Sequence, residues 1–167
     1  GVNHIEGHLS AIFLEQRAPS FPFVGLVVSG GHTSLYRVDG FGKYKRLGQT
    51  RDDAAGEAFD KVSRLLGLGY PGGPAIQNVS EEGSPDRFAF PRAWLEGTWD
   101  FSFSGLKTAV LRVVRQLEEE NKPVPVEDMA ASFQAAVVDV LLTKTVRAAQ
   151  NFKAREILVA GGVSANK

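Results

Sequence analysis

The chain has 167 residues, 43% hydrophobic and 23% charged, with 19 basic and 19 acidic side chains that cancel. That length suits about one domain of roughly 100–200 residues, and a balanced charge excludes an overall electrostatic footprint for nucleic acid while leaving room for a local basic face. The absence of cysteine excludes disulfides, thiolate nucleophiles and Cys-ligated zinc, and apolar runs such as Phe23–Val28 fall far short of the ~20 residues that cross a bilayer, so no membrane partner is expected.

Asn3 followed by Glu6 resembles a capping box, and Ile5, Leu9, Ile12 and Phe13 share one face, which predicts an amphipathic helix over residues 4–17. Ala18, Pro19 and Ser20 end it. Phe23–Val28 reads as a buried strand, Ser29-Gly30-Gly31 as a tight turn and Thr33–Val38 as a second strand; Asp39-Gly40 turns the chain again, and Tyr44–Gln49 completes a three-stranded meander. Asp53 is placed to cap a helix running through Phe59 and Val62 to Leu66, after which Pro71-Gly72-Gly73-Pro74 forms a rigid loop. A short helix over 75–82 follows, then an irregular stretch over 83–100 with one strand at 87–90. Helices are expected over 105–120 and 127–152, separated by Pro123 and Pro125, and then a buried strand of the parallel-sheet type over 156–160. Strands first, then helices alternating with strands, indicate an α/β fold. The chain starts without Met and stops on a strand and a glycine turn whose next element is missing, so it is expected to be the middle portion of a longer protein and inactive by itself.

Several constellations can carry chemistry. His4 and His8 are four apart, so on a helix both imidazoles project from one face and can reach one metal ion, although the same spacing also serves two polar residues with no ligand. His32 is a further candidate ligand or a turn residue. In Val27-Val28-Ser29-Gly30-Gly31 a strand runs into two glycines, whose bare backbone lets a ligand approach and N–H groups converge on an anion; an ordinary hairpin turn is the alternative. Residues 157–160 feeding Gly161-Gly162 form a second such junction at a helix start. Glu57 and Asp60, three apart, either face a cleft and hold ribose hydroxyls or a metal, or lie on a solvated face compensated by Lys61 and Arg64. Lys107, in a first helical turn after Ser104, runs against the helix dipole unless it meets an anion. Trp94 and Trp99, with Phe88 and Phe90, either stack on bases or pack the irregular segment.

Taken in order, His-Ile-Glu-Gly-His from His4, Val-Ser-Gly-Gly-His-Thr from Val28, Asp-Asp-Ala-Ala-Gly-Glu-Ala-Phe-Asp-Lys from Asp52, Tyr-Pro-Gly-Gly-Pro from Tyr70, Phe-Ser-Phe-Ser-Gly-Leu-Lys-Thr from Phe101 and Ala-Gly-Gly-Val-Ser-Ala-Asn from Ala160 resemble the TsaD family of tRNA threonylcarbamoyladenosine transferases. The resemblance covers essentially the whole chain. It implies an actin-like, sugar-kinase-like fold of two ribonuclease-H-like lobes, with residues 1–22 ending the first lobe and residues 23–167 making most of the second. It implies transfer of a threonylcarbamoyl group from threonylcarbamoyl-AMP to the adenosine beside the anticodon of ANN-decoding tRNAs. Carried over by position, it implies a divalent ion, iron or zinc, at His4 and His8. Val27, Val28, Ser29, Gly30, Gly31, Asp60, Gly73 and Asn166 correspond to residues that bind the adenylate. Accessory actin-like and ATPase subunits are implied as partners, in the cytoplasm or, in a eukaryote, in a mitochondrion or plastid. The family's third metal ligand, an aspartate, lies beyond Lys167, and Gln77 stands where many relatives carry aspartate at a ribose contact.

Two rival readings remain at this level. A metallopeptidase would use the paired histidines but lacks the glutamate spacing of a zincin and leaves the glycine segments unexplained. A non-catalytic actin-like nucleotide-binding scaffold would not be expected to retain both histidines.

Overall fold

The computed structural model describes residues 19–165, so the helix expected over 4–17, with His4 and His8, and Asn166 lie outside the described residues. Three antiparallel strands open the described chain: β1 (Phe23–Val28), β2 (Thr33–Gly40) and β3 (Lys43–Gln49). Four helices follow, α1 (Ala55–Leu65), α2 (Gly72–Ser80), α3 (Ser104–Glu119) and α4 (Val126–Asn151), then β4 (Glu156–Ala160) and a 3₁₀ turn at Gly162–Ala165. The sheet order is β3-β2-β1-β4, with β4 parallel to β1. The result is an α/β fold on a mixed sheet, and the expected meander is present.

β1 is hydrophobic at every position but Gly25 because it lies inside the sheet, between β2 and β4, with side chains packed on both faces; all of its residues are buried. Its Val24, Leu26 and Val28 face the helices and join Phe59 and Val62 of α1 and Phe133 and Val137 of α4 in the main core, where the Phe59 and Phe133 rings meet edge to face at 5.1 Å. Leu106, Val110 and Val114 recur every fourth residue on α3 and are its buried stripe. α4 is long and apolar enough by composition to cross a membrane, but 61% of its most apolar window is buried in this fold, as expected of a central core helix.

Four sequence expectations change. Residues 87–90 form no strand: their backbone is held to α4 instead, with the Phe88 N–H donating to Ser132 Oγ at 3.1 Å and the Ser84 N–H donating to Asp128 Oδ1 at 2.8 Å. Gly72-Gly73-Pro74 is the first turn of α2 and not a loop; proline is well suited to a first helical turn, where its missing N–H costs nothing. β4 pairs in parallel as expected but is only partly buried, with Ile157 at 41% and Val159 at 48% exposure, because among the described residues it has a strand neighbour on one side only.

The fourth change concerns the aspartate pair. Asp53 does not cap α1; its carboxylate takes the Lys61 ammonium at 2.6 Å, and the Ala55 N–H donates instead to Thr33 Oγ1 at 2.8 Å. Asp52 is the capping residue, and it caps a helix fifty residues away. Its Oδ1 accepts the Phe103 N–H at 2.9 Å and the Ser104 N–H at 3.3 Å, while Oδ2 accepts the Ser102 and Ser104 hydroxyls. The start of α3 therefore already holds this chain's own carboxylate, which takes the Phe103 and Ser104 amides.

A second tie fastens the irregular segment. Lys144, 4% exposed, reaches from α4 to donate to the carbonyls of Thr98, at 3.1 Å, and Asp100. Burial pushes its ammonium pKa down, with the Asp100 carboxylate opposing that shift. Asp100 in turn accepts the Gln49 N–H at 3.0 Å and pairs with Arg51, which hold its carboxyl below the ordinary value.

Burial alone would push the Asp52 carboxyl up, but its hydrogen bonds from Ser102, Phe103 and Ser104 outweigh that and hold it below the ordinary value. A depressed folded-state pKa stabilises the fold above the unfolded carboxylate value of about 3.9, and that stabilisation is lost as pH falls through the folded value. In the full-length protein, Asp52→Ala is expected to lower stability by about 1 kcal/mol at neutral pH. Denaturant midpoints measured at falling pH should show the gap between variant and wild type closing below about pH 4.

Candidate functional site

The hairpin between β1 and β2 closes with the Ser29 N–H donating to the His32 carbonyl at 2.8 Å and the His32 N–H donating to Ser29 Oγ at 3.1 Å. His32 is thus an exposed turn residue. Gly30 and Gly31 stand at the tip, and a Cβ added to either would meet nothing within 4 Å and no left-handed φ is required. Among the described residues neither crowding nor a left-handed backbone accounts for glycine there.

α1 is seated directly on this turn. A Cβ on Gly56 would lie 2.7 Å from both the Ser29 carbonyl oxygen and Gly30 Cα, so only glycine lets the first turn of the helix come so close. One turn further on, Asp60 Oδ1 accepts the Gly72 N–H at 2.8 Å and ties the start of α2 to α1. Gly72 is again in backbone contact, its hypothetical Cβ falling 2.5 Å from Asp60 Cα and the Phe59 carbonyl oxygen. From the other side the chain leaves β4 through Gly161, at φ +110°, which lies against the Val28 carbonyl.

These contacts enclose a cavity of about 330 Å³ at the carboxyl ends of β1 and β4, lined by Gly30, Asp60, Gly73 and Gln77 with Tyr70 and Gly162. Of the residues expected from the sequence, Gly30, Asp60 and Gly73 come together here. Ser29 and Gly31 belong to the same turn, and Val27 and Val28 are buried in the strand that carries it. Glu57, expected to share a cleft with Asp60, is instead paired with Lys61 at 2.8 Å, which lowers its carboxyl pKa. Asp60 has no cationic partner among the described residues and one carboxylate oxygen with no partner there, so it can accept hydroxyl donors from a ligand. Tyr70, 81% exposed at the mouth, was read from the sequence only as part of a rigid corner; an aromatic beside Pro-Gly-Gly-Pro was the available signal.

A larger hollow of about 510 Å³ between α4 and β4 is lined by Leu26, Val138, Leu142 and Val159 and lacks charged side chains. The smaller cavity is the candidate site because it combines a carboxylate, accessible backbone amides and a position at the carboxyl edge of parallel strands, where α/β sheets bind ligands. Among the described residues no group of His, Cys, Asp or Glu is clustered so as to hold a metal ion.

A family model described as "TsaD: tRNA N6-adenosine threonylcarbamoyltransferase" matches residues 1–167. Curated relatives carrying the name tRNA N6-adenosine threonylcarbamoyltransferase include that of Thermodesulfovibrio yellowstonii, 57% identical over 169 residues, covering 99% of this chain and 51% of the relative. That of Geobacter metallireducens is 60% identical over 167 residues (99% and 49%), and that of Paracidovorax citrulli 57% over 168 (100% and 48%). The chain spans about half the length of the curated relatives it matches.

The two adjacent glycines of α2 provide a direct check on the packing of the site. Gly72→Ala forces a methyl into backbone that cannot move aside and is expected to destabilise the full-length protein by about 1–3 kcal/mol. Gly73→Ala, with open space at its Cβ, should be neutral or slightly stabilising in the same denaturation measurement.

Proposed function

The chain belongs to the TsaD family of tRNA N6-adenosine threonylcarbamoyltransferases, and from that premise we propose that the full-length protein moves a threonylcarbamoyl group from threonylcarbamoyl-AMP to the exocyclic amine of the adenosine beside the anticodon of ANN-decoding tRNAs. The observation that carries this reading is the meeting of the 29–31 turn, Asp60 and Gly73 around one cavity, three separated segments that need have nothing to do with one another in a fold without a ligand. The exocyclic nitrogen attacks the carbamoyl carbon; a C–N bond forms, the bond from that carbon to the phosphate oxygen breaks, the amine loses a proton and AMP departs.

In this reading residues 23–167 are most of the second lobe of an actin-like fold, and residues 1–22 close the first. The amides of Gly30 and Gly31, at the tip of the turn that Ser29 closes, face the phosphate and the developing oxyanion, where preorganised donors act most strongly. Asp60 accepts the ribose hydroxyls, Gly73 leaves room for the sugar beside it, and Asn166 is a further nucleoside contact by its correspondence to the family motif. Gln77 can offer the sugar an amide where relatives offer a carboxylate, one hydrogen-bond partner exchanged for another. Val27 and Val28 position the turn. A divalent ion, iron or zinc, is assigned to His4 and His8 and would supply Lewis-acid polarisation of the anhydride. Accessory actin-like and ATPase subunits complete the system, in the cytoplasm or in an organelle.

The full-length protein, supplied with threonylcarbamoyl-AMP and an ANN-decoding tRNA, is expected to form the modified nucleoside, as read by mass spectrometry of digested tRNA; no product from an intact, metal-loaded preparation would sink the assignment. Asp60→Asn keeps the bond to the Gly72 N–H but removes the charge, and should weaken adenylate binding by about 10–100-fold, the loss of one or two charge-assisted hydrogen bonds. Elemental analysis should find about one iron or zinc per full-length chain, and none after His4→Ala with His8→Ala.

A further inference from the structure

On the helix side of the sheet, away from the candidate nucleotide cavity, a second hollow of about 510 Å³ opens between α4 and the irregular segment, lined by Trp94, Trp99, Lys144 and Arg147. The Arg147 guanidinium lies over the Trp94 ring at 5.8 Å, and Trp94 is 37% exposed. The surface continues from there. The Trp99 ring packs on Phe152 at 5.9 Å, Arg37 covers the other ring at 5.5 Å, and Arg37 is the cross-strand partner of Lys45 on the exposed edge strand.

The charge of this face is unbalanced although that of the chain is not. Asp39 is taken by Arg37, and Asp100 by Arg51 and the Gln49 N–H. Glu96 is then the one carboxylate lining the hollow. Lys43, Lys45 and Arg147 are exposed and form no ion pair among the described residues, and the Lys144 ammonium is held there by neutral carbonyls. A lysine on an edge strand can serve merely to prevent strand-to-strand association. That purpose explains neither the guanidinium stacked on a half-exposed tryptophan nor the hollow beneath it. Cations alternating with aromatic faces are the pattern that tracks a phosphate backbone and stacks unpaired bases.

The position is suitable as well. Gly48, whose backbone abuts that of Trp99, pairs with Leu35, which pairs with Leu26, two residues before the end of β1. The level of Trp99 is therefore roughly 7 Å along the strands from the end of β1, roughly 13 Å from Gly30, and roughly 10 Å across them.

We propose that this face, from Lys45 and Arg37 to the Trp94–Arg147 stack, is the docking surface for the RNA substrate, with an unpaired base on Trp94 and backbone phosphates along the cations. The proposal rests on the tRNA transferase reading given above. Its test uses the full-length enzyme with its accessory subunits and an ANN-decoding tRNA, comparing wild type with Lys45→Gln/Arg147→Gln and with Trp94→Ala. The double variant should raise the tRNA KM about 10-fold and reduce the slope of log KM against log salt by about 1.4–1.8, two phosphate contacts fewer. Trp94→Ala should raise the tRNA KM by about 5-fold or more. kcat and the KM for threonylcarbamoyl-AMP should not move in either. If a variant folds poorly, Lys43→Gln/Lys45→Gln on the exposed edge strand carries the same measurement, with a slope change of the same size.

A tRNA KM and salt slope equal to wild type would overturn the proposal while leaving the transferase reading intact. Lost binding of an accessory subunit at an unchanged tRNA KM would assign the face to a protein contact and overturn it equally. A wild-type enzyme that modifies no tRNA would overturn both readings together.

Discussion

Around the candidate cavity, backbone lies against backbone at three places where any larger residue would hold the chains apart. Gly56 lets α1 rest on the Ser29–Gly30 turn, Gly72 lets α2 rest on α1 at Asp60, and Gly161 lets the chain leaving β4 pass the Val28 carbonyl. Each contact removes only a methyl group's width, but together they bring a turn, two helix starts and a strand end to a single point. The site's polar groups are then backbone amides and one carboxylate held at fixed positions, because the elements that carry them cannot slide relative to each other without collision. Interiors packed at this density transmit such constraints instead of absorbing them.

The other half of the described chain is organised by polar ties across long sequence separations. Asp52 caps α3, Lys144 binds the carbonyls before Phe101, and Ser132 and Asp128 hold the segment after α2 to the start of α4. A stretch of about twenty residues without regular structure would ordinarily leave many backbone groups unsatisfied. Here side chains from a helix and from a loop meet enough of them to keep that stretch in one course. Lys144 fastens the carbonyls on either side of Trp99, whose ring packs half-buried against the main core, while Trp94 remains exposed beside Arg147.

The family match is spread over the whole chain, whereas the cavity is assembled from segments that the chain separates by more than a hundred residues. At the carboxyl ends of β1 and β4 the cavity offers the free hydrogen-bonding capacity of Asp60 and the bare tip of the 29–31 turn.

The strands, the helix cores and the glycine-rich segments were legible in the sequence because their signals are local: Phe23–Val28 reads as a buried run and Leu106, Val110 and Val114 repeat at the helical period. Gly30, Asp60 and Gly73 could likewise be named from their motifs. What the sequence could not reveal is which aspartate does what. Asp52 and Asp53 are adjacent and chemically identical, and the local capping rule favours the second for α1; yet Asp53 turns to Lys61 and Asp52 to an amide pair fifty residues on. Nor could it show that residues 87–90 remain unpaired, since a strand needs a neighbouring edge and α4 lies there instead. Local pattern follows from the covalent order of residues. The partner of a charge or of an amide depends on which distant group arrives beside it, and that is decided only when the helices settle on the sheet.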